Sequence, residues 1–397
     1  MPYVLLGLAV FGLITSSVFA GIVLWAVPGY LGERRRALAQ LAARPGFTPP
    51  LSLLKPLHGA ESGLESYLET FFKQDYPEYE ILFCARSLDD AGLETARRVA
   101  ARHPQIPVQF LATGGEPDYI NAKVASMELM EAHAAHEILV ISDSDVRVAP
   151  DYLRSVALPF ADQRVGGMCC LYRGVADPQN GSKTGIWARL EAVGMSVEMS
   201  SGVLVARLME DMQFTLGPTM AFRKETIRRM GGFKVTADYC ADDFILGNET
   251  YKLGQTVVLS HHAIDHMVLH SELAGSLKHQ VRWMKSTRFS RPKGHFGTAL
   301  TFGMPFGLLA LAACVWLGHP LWGLALFGFA VGTRLALSIA VGGIVAGDKS
   351  WFGLLVLYPM RDLMGFCFWA ASYAGRRILW RGRVFELLPG GKMRAAE

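Results

Sequence analysis

The sequence predicts an α/β domain, built on a mostly parallel sheet and flanked by segments that reach a membrane. Three observations predict it. From about Thr48 to His270, short β-type runs alternate with helical stretches, the pattern of a sheet covered by helices on both faces. An uncharged run, Tyr3 to Val27, precedes this region, and long apolar runs follow Pro292. The chain is 51% hydrophobic with a mean hydropathy of +0.24, high for a purely soluble protein, and the excess sits in those flanking runs.

Tyr3 to Val27 is long enough to cross a bilayer. A signal peptide puts its basic residues ahead of the apolar run, whereas Arg34, Arg35 and Arg36 follow it here. Residues 1–30 are therefore expected to form a transmembrane helix, with the chain after it in the cytoplasm.

The catalytic domain is expected over residues 48–276. Leu51 to Leu54, Glu80 to Ala85, Val108 to Leu111 and Ile138 to Ser142 read as strands. Gly63 to Lys73, Leu93 to Arg102 and Lys123 to His133 read as the helices between them. Ligands in such sheets bind beyond the carboxyl ends of the strands. Residues 277–291 read as an interfacial helix, apolar on one side and basic on the other.

Residues 296–375 hold the C-terminal membrane segments. Phe296 to Gly318 and Leu321 to Ala346 are each long enough to span, and His319 and Pro320 link them into a hairpin. Trp351 to Ala374 is interrupted by Arg361 and Asp362. Each half is about 10 to 12 residues, roughly 15–18 Å as helix, too short to cross. The basic tail, residues 376–397 with Arg376, Arg377, Arg381 and Arg383, favours the cytoplasm. A re-entrant hairpin reconciles the two, and a tilted span with a buried ion pair is the alternative.

The net charge of +4 is too small to point to nucleic acid. The six cysteines, Cys84, Cys169, Cys170, Cys240, Cys314 and Cys367, form no CxxC pair, which argues against a zinc site or disulfide framework. The chain carries no internal repeat and no low-complexity stretch.

Candidate chemistry gathers just past the strands. Asp143-Ser144-Asp145 follows an apolar strand, and two carboxylates there can hold Mg²⁺ or Mn²⁺ shared with substrate phosphates; the plain alternative is an Asp-rich turn. Asp90 after Asp89 can accept from a ribose or base, or simply cap the next helix. Asp242 and Asp243 can take a proton from an attacking hydroxyl, or cap the helix Phe244 to Leu253. Lys123, behind Asn121-Ala122, opens a helix where an anion is favoured, although a solvated lysine is commoner. His261, His262, His266 and His270 have the look of a metal box. Thr256 to Leu269 reads as a strand, however, so their i, i+4 spacing carries no metal-binding meaning. Only His266 stays as a metal or phosphate contact.

Together these pieces resemble the ceramide glucosyltransferase family, glycosyltransferase family 21, related to the large family 2. The matching runs are Leu53-Leu54-Lys55-Pro56-Leu57-His58-Gly59, Leu68-Glu69-Thr70-Phe71-Phe72, Asp75-Tyr76-Pro77, Asp143-Ser144, Ala241-Asp242-Asp243 and Arg282-Trp283. The resemblance implies a GT-A (Rossmann-like) fold and inverting, metal-dependent transfer from a UDP-sugar. It implies that Lys55, Pro56, Asp90, Lys123, Asp143, Arg282 and Trp283 bind the donor, that Asp143 and Asp145 hold the metal, and that Asp243, beside Asp242, is the base. His279 stands where the family motif carries Gln or Arg and is left, with His266, as an acceptor-side contact. The partners expected are a UDP-sugar, a membrane lipid acceptor such as ceramide or a hopanoid, and the bilayer, in a bacterial inner membrane with the catalytic domain cytoplasmic. A polysaccharide synthase needs more spans for a channel. An inactive sugar-nucleotide-binding protein is disfavoured because all three acidic sites are present.

Overall fold

In the computed structural model, which describes residues 1–115, 119–176, 185–269, 272–380 and 382–396, the catalytic domain is built on an eight-stranded mixed sheet. The strands are β1 (Leu51–Pro56), β2 (Tyr79–Ala85), β3 (Val108–Ala112), β4 (Ile138–Ser142), β5 (Val146–Arg147), β6 (Val165–Ala176), β7 (Thr219–Arg223) and β8 (Thr256–Val268). Their spatial order is β3-β2-β1-β4-β7-β6-β8-β5. The first four pair in parallel, as the sequence pattern predicts. Beyond β4 the expectation of a mostly parallel sheet gives way, because β7 runs antiparallel to both β4 and β6 and β5 runs antiparallel to β8.

β1 and β2 carry almost no exposed residue, since helices cover both faces and a continuous apolar run replaces alternation. The helices Leu64–Phe71, Ala91–Ala100 and Ala122–His133 fall within a few residues of the ranges read from sequence. β6 and β7 carry no turn signal at their ends that the sequence reading used.

The N-terminal helix runs from Pro2 to Ala43, with Pro28 inside it. Its 42 residues are about 63 Å long at 1.5 Å each, roughly twice a bilayer core. The helix therefore extends past residue 30, and its second half lies on the domain, where Tyr30 donates to the Ser260 carbonyl at 3.0 Å. Among the described residues, four helices are long and apolar enough to cross a membrane: Pro2–Ala43, Ile186–Glu210, Pro320–Val345 and Gly353–Ala371. Ile186–Glu210 lies inside the expected catalytic domain and escaped the sequence reading, because Arg189, Glu191 and Glu198 break up its apolar character.

The expected span Phe296 to Gly318 is two helices, Pro292–Thr301 and Met304–Trp316, bent by 47°. The break is held from outside. Asp362 accepts the amides of Gly303 at 2.9 Å and Met304 at 2.8 Å, satisfying donors that a helix start leaves orphaned. Arg334, 1% exposed, pairs with Asp362 at 3.0 Å and donates to the carbonyls of Thr301 and Ser16. Arg361 pairs with Glu198 at 3.0 Å.

Gly353–Ala371 passes through Arg361 and Asp362 as one continuous helical segment, so a hairpin turning at those residues is not the form taken. The two charges are instead absorbed as ion pairs. Both flanks of the helix return to the sheet domain. Before it, Arg173 on β6 reaches the Gly347 carbonyl. After it, the expected basic tail folds into a three-stranded antiparallel sheet of β9 (Arg377–Trp380), β10 (Arg383–Leu387) and β11 (Met393–Ala395). Glu386 gathers Arg376 and Arg394 there. Arg381 and His270 lie outside the described residues.

The interfacial helix spans Leu273–Ser290. Its buried residues are Ser276, Gln280 and Ser286, and its Trp283 and Phe289 pack against the domain core and the C-terminal core.

Candidate functional site at the end of the sheet

β4 ends at Ser142, and Asp143 and Asp145 follow at the carboxyl edge of the parallel half. Beneath them lies Lys55 at the end of β1. Its side chain is fully buried over the Phe71 ring, and its ammonium donates to the Asp143 carbonyl at 2.6 Å. Burial pulls its pKa down to about 7, against the pull of Asp143 and Asp145. Lys55 thus braces the Asp143 backbone from inside the sheet.

Lys123, in the first turn of the helix Ala122–His133, points into the same edge. Its Nζ is 2.7 Å from Asp143 Oδ1 and 3.4 Å from Asp242 Oδ2. Burial works against its charge, but Asp143 and Asp242 outweigh that and hold it firmly protonated. A buried ammonium held by two carboxylates is far from the solvated lysine that sequence alone makes commonest.

Asp145 faces the other way. Its Oδ2 meets His266 Nε2 at 3.1 Å across the β5–β8 register. Burial opposes charge on both groups; their attraction overcomes it, lowering the carboxyl pKa and raising that of the imidazole. Asp145 Oδ1 is buried with no hydrogen-bond partner, whereas Asp242 Oδ2 has the Lys123 ammonium 3.4 Å away. An unpartnered carboxylate oxygen at a buried polar site suits a hard divalent cation. No group of three or more His, Cys, Asp or Glu side chains is arranged to hold a metal among the described residues.

Asp242 and Asp243 open the helix Asp242–Lys252. Neither is the N-cap, which is Ala241. Asp243 Oδ2 accepts the Gly217 amide at 2.7 Å and Oδ1 that of Phe244 at 2.8 Å. A Cβ at Gly217 would sit 3.1 Å from that oxygen, so glycine permits the close approach. Burial first, and then the charge of Asp242, push the Asp243 carboxyl up to about 6.

Trp283 stands against this cluster, its ring centroid 6.4 Å from that of His266 and 4.4 Å from that of His279. His279 Nδ1 lies 2.8 Å from Glu191 Oε1, and Ser276 donates to the other Glu191 oxygen. Glu191 is 2% exposed. The sequence reading missed it, and its only signal was an acid in a largely apolar segment. Arg282 lies on the neighbouring side of the helix, over Trp380 of β9 and near the Cys240 side chain.

Asp90 has the capping role. It accepts from Gly92 at 2.8 Å and also, with both oxygens, from Gly59, clamping the loop after β1 to the helix Ala91–Ala100. Pro56 ends β1 just ahead of that loop. Of the residues picked from sequence, Lys123, Asp143, Asp145, Asp242, Asp243, His266, Trp283 and His279 form one contiguous cluster, Arg282 borders it through Cys240, and Lys55 and Asp90 support its loops.

A parallel half-sheet ending in Asp-Ser-Asp, continued by antiparallel strands that bring a second acidic pair to the same edge, defines a glycosyltransferase of the GT-A fold. The chain belongs to glycosyl transferase family 21, whose profile it matches over residues 9–393. It is 23% identical over 354 residues to ceramide glucosyltransferase 3 of Caenorhabditis elegans, covering 87% of this chain and 74% of that one. A shorter stretch of 110 residues is 31% identical to the ceramide glucosyltransferase of Komagataella phaffii, covering 27% of this chain and 22% of that one. Among solved structures, the Pyrobaculum calidifontis mannosyltransferase PcManGT in complex with GDP-Man and Mn²⁺ aligns with a TM-score of 0.49 at 19% identity, over 90% of this chain and 98% of that one.

Proposed function

We propose that this glycosyltransferase moves a sugar from a UDP-sugar to the hydroxyl of a membrane lipid with inversion, in the manner of a ceramide glucosyltransferase. The observation that carries the reading is the bridge made by Lys123 between Asp143 and Asp242. It puts the carboxylates suited to a diphosphate's counter-ion and those suited to the acceptor's proton on one sheet edge.

Asp143 and Asp145, with His266 as an orienting partner, would hold the metal, Mn²⁺ or Mg²⁺. A divalent ion bound there would neutralise charge building on the leaving diphosphate. Lys123 adds a fixed positive charge beside Asp143. Asp243 takes the proton of the acceptor hydroxyl, whose oxygen attacks the anomeric carbon from the face opposite UDP. A carboxyl with a pKa near 6 is ionised at neutral pH and still basic enough to help. Arg282 and Trp283 would contact the donor, and His279 the acceptor.

A lipid acceptor fits the layout. The helix bearing Arg282 and Trp283 leads directly into the apolar segments after Pro292, and Ile186–Glu210, apolar enough to span, carries Glu191 beside His279. We place the protein in a bacterial inner membrane with the domain cytoplasmic. A hopanoid carrying N-acetylglucosamine is the alternative product. The test is the purified protein with a panel of labelled UDP-sugars and lipid acceptors. Label should move into the organic phase as a monoglycosyl lipid. Label confined to a long aqueous polymer rejects the lipid reading in favour of a polysaccharide synthase.

A further inference from the structure

The C-terminal sheet touches three of the segments that bring chemistry to the site. Its small core, Ile378, Phe385, Leu387 and Met393, packs with Ile120, Cys240, Phe289 and Trp380. Ile120 lies three residues before Lys123. Cys240 lies two residues before Asp242. Phe289 is on the helix of Arg282 and Trp283.

Polar contacts follow the same map. The Met393 amide donates to the Asp238 carbonyl at 2.7 Å, and Tyr239 and Lys392 form an antiparallel bridge. Asn121 ties this loop to the start of the Lys123 helix, donating from its amide nitrogen to Ala237 and from its side chain to Tyr239. Lys285 reaches the Arg377 carbonyl at 3.0 Å. Gly391 abuts the interfacial helix so closely that a Cβ there would sit 2.4 Å from Ser290 Oγ. The guanidinium of Arg282 lies 6.0 Å from the Trp380 ring centroid, with the Cys240 side chain close enough to influence its charge. An arginine bounded by an aromatic ring and a neighbouring loop is restricted in where it can point.

We infer that the three-stranded tail is a working part of the transfer site, with Trp380 as a positioning residue that aims Arg282 at the donor diphosphate. The inference rests on the reading of Arg282 as a donor contact. It assigns a task to a segment whose composition suggested only a cytoplasmic basic tail. Trp380 touches no reacting atom and acts through Arg282.

The experiment uses the full chain in detergent and titrates UDP in the presence of Mn²⁺ by calorimetry, alongside donor KM and kcat. Arg282→Ala, Trp380→Leu, Trp380→Phe and the double variant Arg282→Ala/Trp380→Leu are compared. Trp380→Leu keeps apolar bulk on the tail core and loses the aromatic face; Trp380→Phe keeps both. Trp380→Leu is expected to weaken UDP binding by about threefold to thirtyfold, the range of a cation–aromatic contact. It should raise donor KM more than it lowers kcat. Trp380→Phe should restore most of the loss, and the double variant should bind no worse than Arg282→Ala alone. If Arg282→Ala weakens UDP binding while Trp380→Leu does not, or if Phe and Leu at 380 are equally poor, Trp380 only fills space and the inference fails. If Arg282→Ala leaves UDP binding intact, the donor reading of Arg282 is itself wrong and the inference falls with it.

Discussion

His266 Nε2 meets Asp145 Oδ2 at 3.1 Å, leaving the other oxygen of Asp145 buried and unpartnered. A carboxylate fixed by one neighbour and open on its second oxygen is preorganised for a cation. Stripping divalent ions with EDTA should therefore abolish transfer, and Mn²⁺ or Mg²⁺ should restore it. His266→Ala should raise the metal concentration needed for half-activity by about tenfold to a hundredfold, the usual scale for an orienting partner of a ligand. Full activity of a metal-stripped sample in EDTA removes the metal from the scheme.

Asp243 is expected to be the base. Asp243→Asn should lower turnover by about 10²-fold or more while UDP still binds. Its carboxyl titrates near 6 in the folded protein, and the ionised form is the active one, so kcat/KM should fall by about tenfold per unit as pH drops below 6. Near-normal turnover in Asp243→Asn together with a collapse in Asp242→Asn would transfer the role to Asp242.

Lys123 links the two acidic pairs, and its charge is one of the influences holding the Asp243 pKa down. Lys123→Met keeps much of the length and removes the charge. The acid limb of the pH–rate profile should then move to higher pH, because Asp243 would face Asp242 with less compensation. Removing a merely solvated lysine would leave the limb in place.

How much of this was legible in the sequence follows from where each signal lies. The parallel half was readable because fully buried strands such as Ile138–Ser142 are unbroken apolar runs with helices between them. The motif residues were readable because they stand just past those strands. The antiparallel half was not, since β6 and β7 pair across more than forty residues of intervening chain and no local pattern encodes that partner. The brace that Lys55 gives Asp143 was not legible, because its place in β1 says nothing of its burial beneath Asp143. Glu191 and the tail sheet were missed for the same reason: each gains its meaning from a partner roughly ninety or more residues away, His279 in one case and Asp238 in the other. The reading of Asp90 as a cap was available and correct, and the structure added its grip on Gly59.

The pair Arg334–Asp362 sets the last prediction. Both side chains are almost wholly buried among helices apolar enough to lie in a membrane. The pair does more than neutralise itself, because Asp362 also accepts the two amides at the start of Met304–Trp316 and Arg334 also donates to the carbonyls of Thr301 and Ser16. Asp362→Ala would strand a guanidinium with those two carbonyls as its remaining partners and release two helix-start amides. Breaking one side of a buried pair costs about 3–5 kcal/mol, and a lost helix-start acceptor adds about 1 kcal/mol. The single variant should therefore show a clear loss of thermal stability in detergent and of monodisperse yield. Arg334→Leu/Asp362→Leu should recover part of that loss, since no unpaired charge is left in the apolar region. It should not recover all of it, because the amides of Gly303 and Met304 still lack their acceptor. Equal stability of Asp362→Ala and the unmodified chain would mean that the bend after Thr301 is held by packing alone.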